Sequence, residues 1–225
     1  LGKFQLHLIT EPKRSFADLL AACWQAADAG ADWIQLRDKG ASAQSMYRQA
    51  LELRQLPANI SINDRLDVAL ATGAHGVHLA AQSLPVSAAV KLANKRLLVG
   101  RSVHSLDEAV AAAADGAGYL TFGHVFPTTS KPGLEPRGVA QLAEIVRAVD
   151  VPVMAIGGVN PSNLDQVLAT GCAGIAVISA ILSAPDPGQA AAELRRALDG
   201  SPHQPRRSFD SLEIAHARDP EPTTV

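Results

Sequence analysis

The chain has 225 residues, 47% of them hydrophobic, and a formal net charge of −2. Wholesale disorder is excluded by that apolar content, and the length suits a single α/β barrel. The near-neutral charge argues against a general nucleic-acid or membrane binder, and no apolar run approaches the ~18 residues of a membrane span.

The opening LGKFQLHLIT has no basic region ahead of a long apolar stretch, so no signal peptide is expected, and the missing initiator Met points to trimming. Residues 4–9 form the first strand candidate. A helix is predicted over 16–29, where Ser15 and Asp18 make an S-x-x-D cap. The second strand falls at 33–36, and its helix, 43–56, is stopped by Pro57. A third strand at 60–62 precedes a short helix at 66–71. Strands at 76–79 and 97–100 follow, then a helix over 105–114 whose Ser105, Asp107 and Glu108 favour a helix start. The sixth strand, 119–122, runs into the loop FGHVFPTTSKPGLEPRG and a helix at 139–149. Strands at 153–156 and 174–178 complete the set. The strands read as near-continuously apolar, as strands buried on both faces should.

Several helices end in a glycine turn into the next strand: AGADW, TGAHGV, DGAGYL and TGCAGI. Glycine supplies the left-handed residue that ends a helix. Eight strand–helix units predict a closed (β/α)8 TIM barrel over residues 1–200. A doubly wound open sheet is the alternative, but it shows its phosphate fingerprint after the first strand, and ITEPKRS has no glycine. Residues 201–225 are rich in proline and charge, with no sustained period beyond SLEIAHA, and read as a flexible tail. Cys23 and Cys172 lack a CxxC partner, so they read as reduced structural thiols of a cytoplasmic protein.

In a barrel, residues just after each strand share one mouth. Those positions carry Gln35, Arg37 and Lys39; Asn63, Asp64 and Arg65; Gln82 and Ser83; Arg101, Ser102 and His104; His124, Thr128, Ser130 and Lys131; Gly157 and Gly158; and Ile178–Ser179. Gly157–Gly158 and the Ile178–Ser179 peptide match a barrel arrangement for phosphate, where backbone N–H groups converge beside a helix N-terminus. Arg37 and Lys39 suit an anion, or Arg37 pairs with Asp38 on the surface. Asn63 and Asp64 suit a substrate polar group or Mg²⁺, or Asp64 caps a helix. His78 lies inside an apolar run and reads as a core residue. His124, at the mouth, suits a proton shuttle at neutral pH.

IQLRDK, SINDRLDVAL, GVHLAAQSLP, VGRSVHSLDEA, FGHVFPTTSKPGLEPRG, VPVMAIGGVNPSNL and GIAVISAIL, in this order, resemble the thiamine phosphate synthase superfamily. The resemblance implies that Gln35, Arg37, Lys39, Asn63 and Ser102 bind a pyrimidine pyrophosphate. It implies that Thr128, Ser130 and Lys131, with Gly157, Gly158, Ile178 and Ser179, hold a thiazole phosphate. In the synthases, Asp64 and a second aspartate hold Mg²⁺, and Ser83 stands where that second aspartate should be. GRSVHSLDEA and the GHVF segment are closest to the thiazole tautomerase (TenI-type) branch. The expectation is therefore a metal-free, cofactor-free isomerase that aromatises a thiazole phosphate carboxylate, with His124 moving the proton. The alternatives are the Mg²⁺-dependent synthase, with Asp64 as metal ligand, and a non-catalytic thiazole phosphate-binding regulator. The partner expected is a small phosphorylated thiazole, with no nucleic acid and no membrane. Related barrels pair, so a homodimer or other homo-oligomer is expected.

Overall fold

The computed structural model describes residues 2–209. Strands and helices alternate as β1 (Gln5–Ile9), α1 (Phe16–Asp28), β2 (Trp33–Leu36), α2 (Ala43–Leu53), β3 (Asn59–Asn63), α3 (Leu66–Thr72), β4 (Gly76–Leu79), α4 (Val86–Ala93), β5 (Leu98–Val103), α5 (Leu106–Ala114), β6 (Tyr119–Gly123), α6 (Gly138–Ala148), β7 (Val153–Ile156), α7 (Leu164–Leu168), β8 (Gly174–Val177), α8 (Ser179–Leu182) and α9 (Pro187–Asp199). Every strand pairs in parallel with its neighbours in sequence, and β1 closes on β8. The fold is the (β/α)8 TIM barrel expected from the sequence.

Local chemistry sets the helix ends. Ser15 Oγ accepts from the Asp18 N–H at 3.2 Å and starts α1. At α5, Ser105 Oγ accepts from the Glu108 N–H, and Glu108 accepts in return from the His104 N–H at 2.7 Å. The first bond satisfies a donor the helix start would leave bare, and the second ties down the chain entering the helix. Helix α3 exits through Gly73 at φ 63°, a left-handed angle that costs glycine nothing. Helix α2 stops at Leu53, before the Pro57 signal, where the Arg54 guanidinium turns to donate to the Thr72 carbonyl at 2.8 Å.

The two faces of the strands differ in chemistry. Leu6, Leu8, Ile34, Leu36, Ile60, Ile62, Val77 and Leu79 are buried in one core with Leu19, Met46, Ala50 and Leu53 of the helices. Each such side chain contributes about 1.5–3 kcal/mol by leaving water. The alternate positions line the barrel interior, and many are polar: Gln5, His7, Gln35, Ser61, Asn63, His78 and Thr121 are all buried. The reading of near-continuously apolar strands is corrected here. The helix-facing positions carry most of that character, while the inward positions mix polar side chains with apolar ones such as Ile9, Trp33 and Met154.

The other end is closed by aromatic packing. Phe209 is 4% exposed and clusters with Trp33, Tyr119, Met154 and Ala173. Its ring lies 5.3 Å from His7 and 5.3 Å from Tyr119. The approach to Phe209 is tied down by Arg206, whose N–H donates to the Gly171 carbonyl at 2.9 Å. The stretch expected to be a tail thus begins with residues packed on the barrel, and 210–225, with SLEIAHA, lie outside the described residues. Among the described residues, no helix is long and apolar enough to cross a membrane.

Candidate active site

A cavity of about 600 Å³ opens at the C-terminal mouth of the barrel. It brings together Gln35, Arg37, Lys39, Asn63, Ser102, His124, Thr128, Ser130, Lys131, Gly157, Gly158, Ile178 and Ser179, all read from the sequence as site residues. His78, His104, Glu11, Lys13 and Thr121 also line it. The lining follows the strand period of two: Gln35 then Arg37, Ser102 then His104, Thr121 then Gly123.

The cavity floor is a fixed amide network. Gln35 Nε2 donates to Asn63 Oδ1 at 2.9 Å, and Asn63 Nδ2 donates to Asp64 Oδ2 at 2.6 Å. Asp64 Oδ1 accepts from the Ala80 N–H at 2.9 Å and from the Ser83 hydroxyl. Asp64 does not cap α3, whose N-cap is Arg65 with no side-chain bond. Its backbone takes the positive φ of 63°, an uncommon angle for a residue with a side chain, and places the carboxylate between β3 and the turn after β4.

The cavity walls carry cations. The Arg37 backbone N–H donates to Thr10 Oγ1 at 2.8 Å, which sets the chain direction after β2. Asp38 does not pair with Arg37; its carboxylate accepts from the Gly40 and Ala41 N–H groups. Arg37, Lys39 and Lys131 have no ion-pair partner among the described residues. Lys13 pairs with Glu11 at 3.0 Å. A chain of net charge −2 therefore presents unpaired positive charge at one mouth, which suits an anionic ligand.

Gly157 and Gly158 sit at φ 96° and 68° and bring β7 against the loop after β6. A Cβ at Gly157 would stand 2.8 Å from the Cα of His124, and one at Gly158 would stand 2.8 Å from the Cβ of Phe126. Glycine is required there for close backbone approach, besides any contact with a ligand.

The scan of family models matches residues 6–181 to "Thiamine monophosphate synthase". The thiamine-phosphate synthase of Pyrococcus abyssi is 42% identical over 201 residues, which is 88% of this chain and 96% of that one. The chain belongs to the thiamine monophosphate synthase family. The thiamine-phosphate synthase of Chlorobium limicola is 44% identical over 175 residues, 76% of this chain and 83% of that one. A solved thiamine phosphate pyrophosphorylase from Pyrococcus furiosus superposes with a TM-score of 0.80 at 40% identity, covering 88% of this chain and 96% of that one.

Membership of the thiamine monophosphate synthase family overturns the tautomerase reading. Relatives identical at about four positions in ten along most of the chain are named synthases, which are transferases rather than isomerases. The single change at Ser83 and the local GHVF match weighed too heavily in that reading. The isomerisation expected of His124 falls with it. Its imidazole is buried, and Nε2 lies 3.1 Å from the Leu134 carbonyl, so the ring ties down the loop that carries Lys131.

His78 was read as core, and it is buried, but it also lines the cavity. Its Nε2 meets Ser102 Oγ at 2.8 Å and its Nδ1 meets the Tyr119 hydroxyl at 3.0 Å. Burial pushes its pKa down to about 4, with Asp64 opposing and Arg101 assisting, so the ring is neutral. The available signal was strand parity: in Gly76–Leu79, position 78 faces the same side as the small Gly76, inward.

Mg²⁺, implied by the synthases, can be tested against these donors. Among the described residues, no group of three or more His, Cys, Asp or Glu side chains gathers as a metal site. Asp64 and the Ser83 hydroxyl form an all-oxygen pair beside the cavity. Mg²⁺ is commonly held by one or two carboxylates with substrate phosphates and water completing the shell. The pair fits that minimal set.

Proposed function

We propose that this chain is a thiamine-phosphate synthase, joining hydroxymethylpyrimidine pyrophosphate to a thiazole phosphate. The observation that carries this reading is the set of unpaired cations, Arg37, Lys39 and Lys131, facing one cavity with a neutral amide floor. A tautomerase needs one phosphate held; a synthase needs a pyrophosphate and a phosphate held at once, and cations on opposite sides of the mouth serve both.

In this reading Arg37, Lys39 and Ser102 hold the pyrophosphate, while Gln35 and Asn63 orient the pyrimidine through their linked amides. Thr128, Ser130 and Lys131, with the backbone at Gly157, Gly158, Ile178 and Ser179, hold the thiazole phosphate. The thiazole ring nitrogen forms a bond to the pyrimidine methylene carbon. The bond from that carbon to oxygen breaks, and its electron pair leaves with pyrophosphate. Asp64 and Ser83 would hold Mg²⁺, which when bound neutralises charge on the departing pyrophosphate. The cofactor-free expectation went with the isomerase and is replaced by this one. The small buried thiols Cys23 and Cys172 accord with a cytoplasmic enzyme, and pairing into a homo-oligomer remains part of the proposal.

The test offers the pure protein both substrate sets, with and without Mg²⁺, and measures thiamine phosphate and pyrophosphate. Release of both in equal amounts, dependent on Mg²⁺, is the expected result. Aromatisation of the thiazole carboxylate without any coupled product would overturn it.

A further inference from the structure

Inside the barrel, below the cavity, a line of polar groups leads away from the substrate mouth. Tyr119 stands on β6 and His78 on β4, with β5 between them. Gly100 is the β5 residue paired with both, to His78 on one side and to Tyr119 on the other. A Cβ at Gly100 would run into the Tyr119 ring. The absent side chain is what lets the phenol cross β5 and reach His78 Nδ1 at 3.0 Å. His78 Nε2 then meets Ser102 Oγ at 2.8 Å, on the cavity wall.

We infer that Tyr119 and His78 are positioning residues that fix Ser102 as a hydrogen-bond donor to an anionic substrate oxygen. The direction of the bonds carries the argument. Burial raises the Tyr119 pKa, so the phenol keeps its proton, and its hydroxyl lies 3.0 Å from His78 Nδ1. A buried O–H needs an acceptor, and Nδ1 is the hydrogen-bond partner the structure places at this hydroxyl, so the phenol proton goes to His78 Nδ1. A neutral imidazole that accepts at Nδ1 carries its proton on Nε2. Nε2–H donates to Ser102 Oγ, and the Ser102 proton is left to point into the cavity. The opposite tautomer would take the Ser102 proton at Nε2 and turn the oxygen lone pairs toward a phosphate, which repels it. That Ser102 meets a pyrophosphate rests on the synthase reading; the tautomer does not.

Two measurements test this. Nitrogen-15 NMR of the unaltered protein should report His78 with its proton on Nε2; a proton on Nδ1 overturns the inference with no enzyme assay involved. In the synthase assay, Tyr119→Phe should lower kcat/KM about 3- to 10-fold, the worth of one hydrogen bond. In a Ser102→Ala background the same change should cost less than about twofold, since residues acting through one group are not additive. An equal loss in both backgrounds means Tyr119 only supports the fold, and no loss in either overturns the inference. If the unaltered protein makes no thiamine phosphate at all, the synthase reading fails, and the tautomer alone decides the present one.

Discussion

Gly158 lies so close to Phe126 that a Cβ on it would stand 2.8 Å from the Phe126 Cβ, and its φ of +68° is one that side chains resist. The turn after β7 is therefore pressed against the loop after β6. Gly158→Ala is expected to lower unfolding stability by about 1–3 kcal/mol, measured by urea titration. Wild-type stability would mean that the loop yields freely. Any loss of phosphate affinity in this variant has to be read against that structural cost.

A cleaner probe of phosphate binding is Lys131, which is exposed at the rim and has no ion-pair partner among the described residues. Lys131→Ala should raise the KM for the thiazole phosphate about 10- to 100-fold, the usual worth of a charge-assisted hydrogen bond. The KM for the pyrimidine pyrophosphate should move much less. Equal shifts in both would place the two anions differently from the arrangement proposed here.

The Asp64–Ser83 contact makes a metal prediction of its own. Chelator should abolish coupling, and Asp64→Asn should do the same. Ser83→Asp sets a second carboxylate beside the first, and like charges there repel until a cation joins them. That variant should melt below the wild type without Mg²⁺ and gain more in Tm when Mg²⁺ is added. An Mg²⁺-insensitive Tm in Ser83→Asp would remove Asp64 from the metal site.

His124→Gln should test what the Nε2 contact with Leu134 does. A glutamine amide can still donate to that carbonyl, so turnover should fall less than about tenfold. A positioned acid–base group contributes ~10²–10⁴-fold. A loss in that larger range would mean the ring moves a proton during turnover.

Acid should destabilise the fold through the barrel interior. Burial, with His78 adding repulsion, holds the His7 pKa down to about 3, and burial holds His78 at about 4. Both lie below the value of 6.5 expected for an exposed imidazole. Between pH 6.5 and those values the unfolded chain takes up protons that the folded chain refuses, so stability falls as pH falls. Each such histidine contributes a slope of up to about 1.4 kcal/mol per pH unit. Urea titrations at a series of pH values should show this, and His7→Gln should flatten the curve.

The barrel was legible because its helix-facing positions, Arg101 on β5 apart, are apolar from Leu6 and Leu8 through Ile175 and Val177. The cavity was legible because strand ends in such a barrel share a mouth, so Arg37, Ser102 and Lys131 line one cavity although remote in sequence. The interior was not. His78 in GVHL reads as one polar residue in an apolar run, and only parity with Gly76 separates it from its neighbours. Gly100 looked like the end of a strand, whereas β5 runs on to Val103 and the glycine is a passage for the Tyr119 ring. Phe209 escaped notice because its packing is wholly tertiary: a proline- and arginine-rich stretch has no period to announce one buried ring. The activity was misjudged at Ser83, where a carboxylate count of one was read as too few, although substrate phosphates supply oxygen ligands of their own.

Among the described residues, the Phe209 packing closes the barrel opposite the C-terminal mouth. Gln35 and Asn63, each 5% exposed, lie at its depth, while Lys39 and Lys131 lie at its lip. Whatever is held deep has to enter first, since a ligand at the lip bars the way behind it. On the proposed reaction, the joined product leaves by the mouth through which its parts came. Traffic through one door thus imposes a sequence on arrivals and departures, and that sequence is written in the position of an aromatic ring at the opposite end of the barrel.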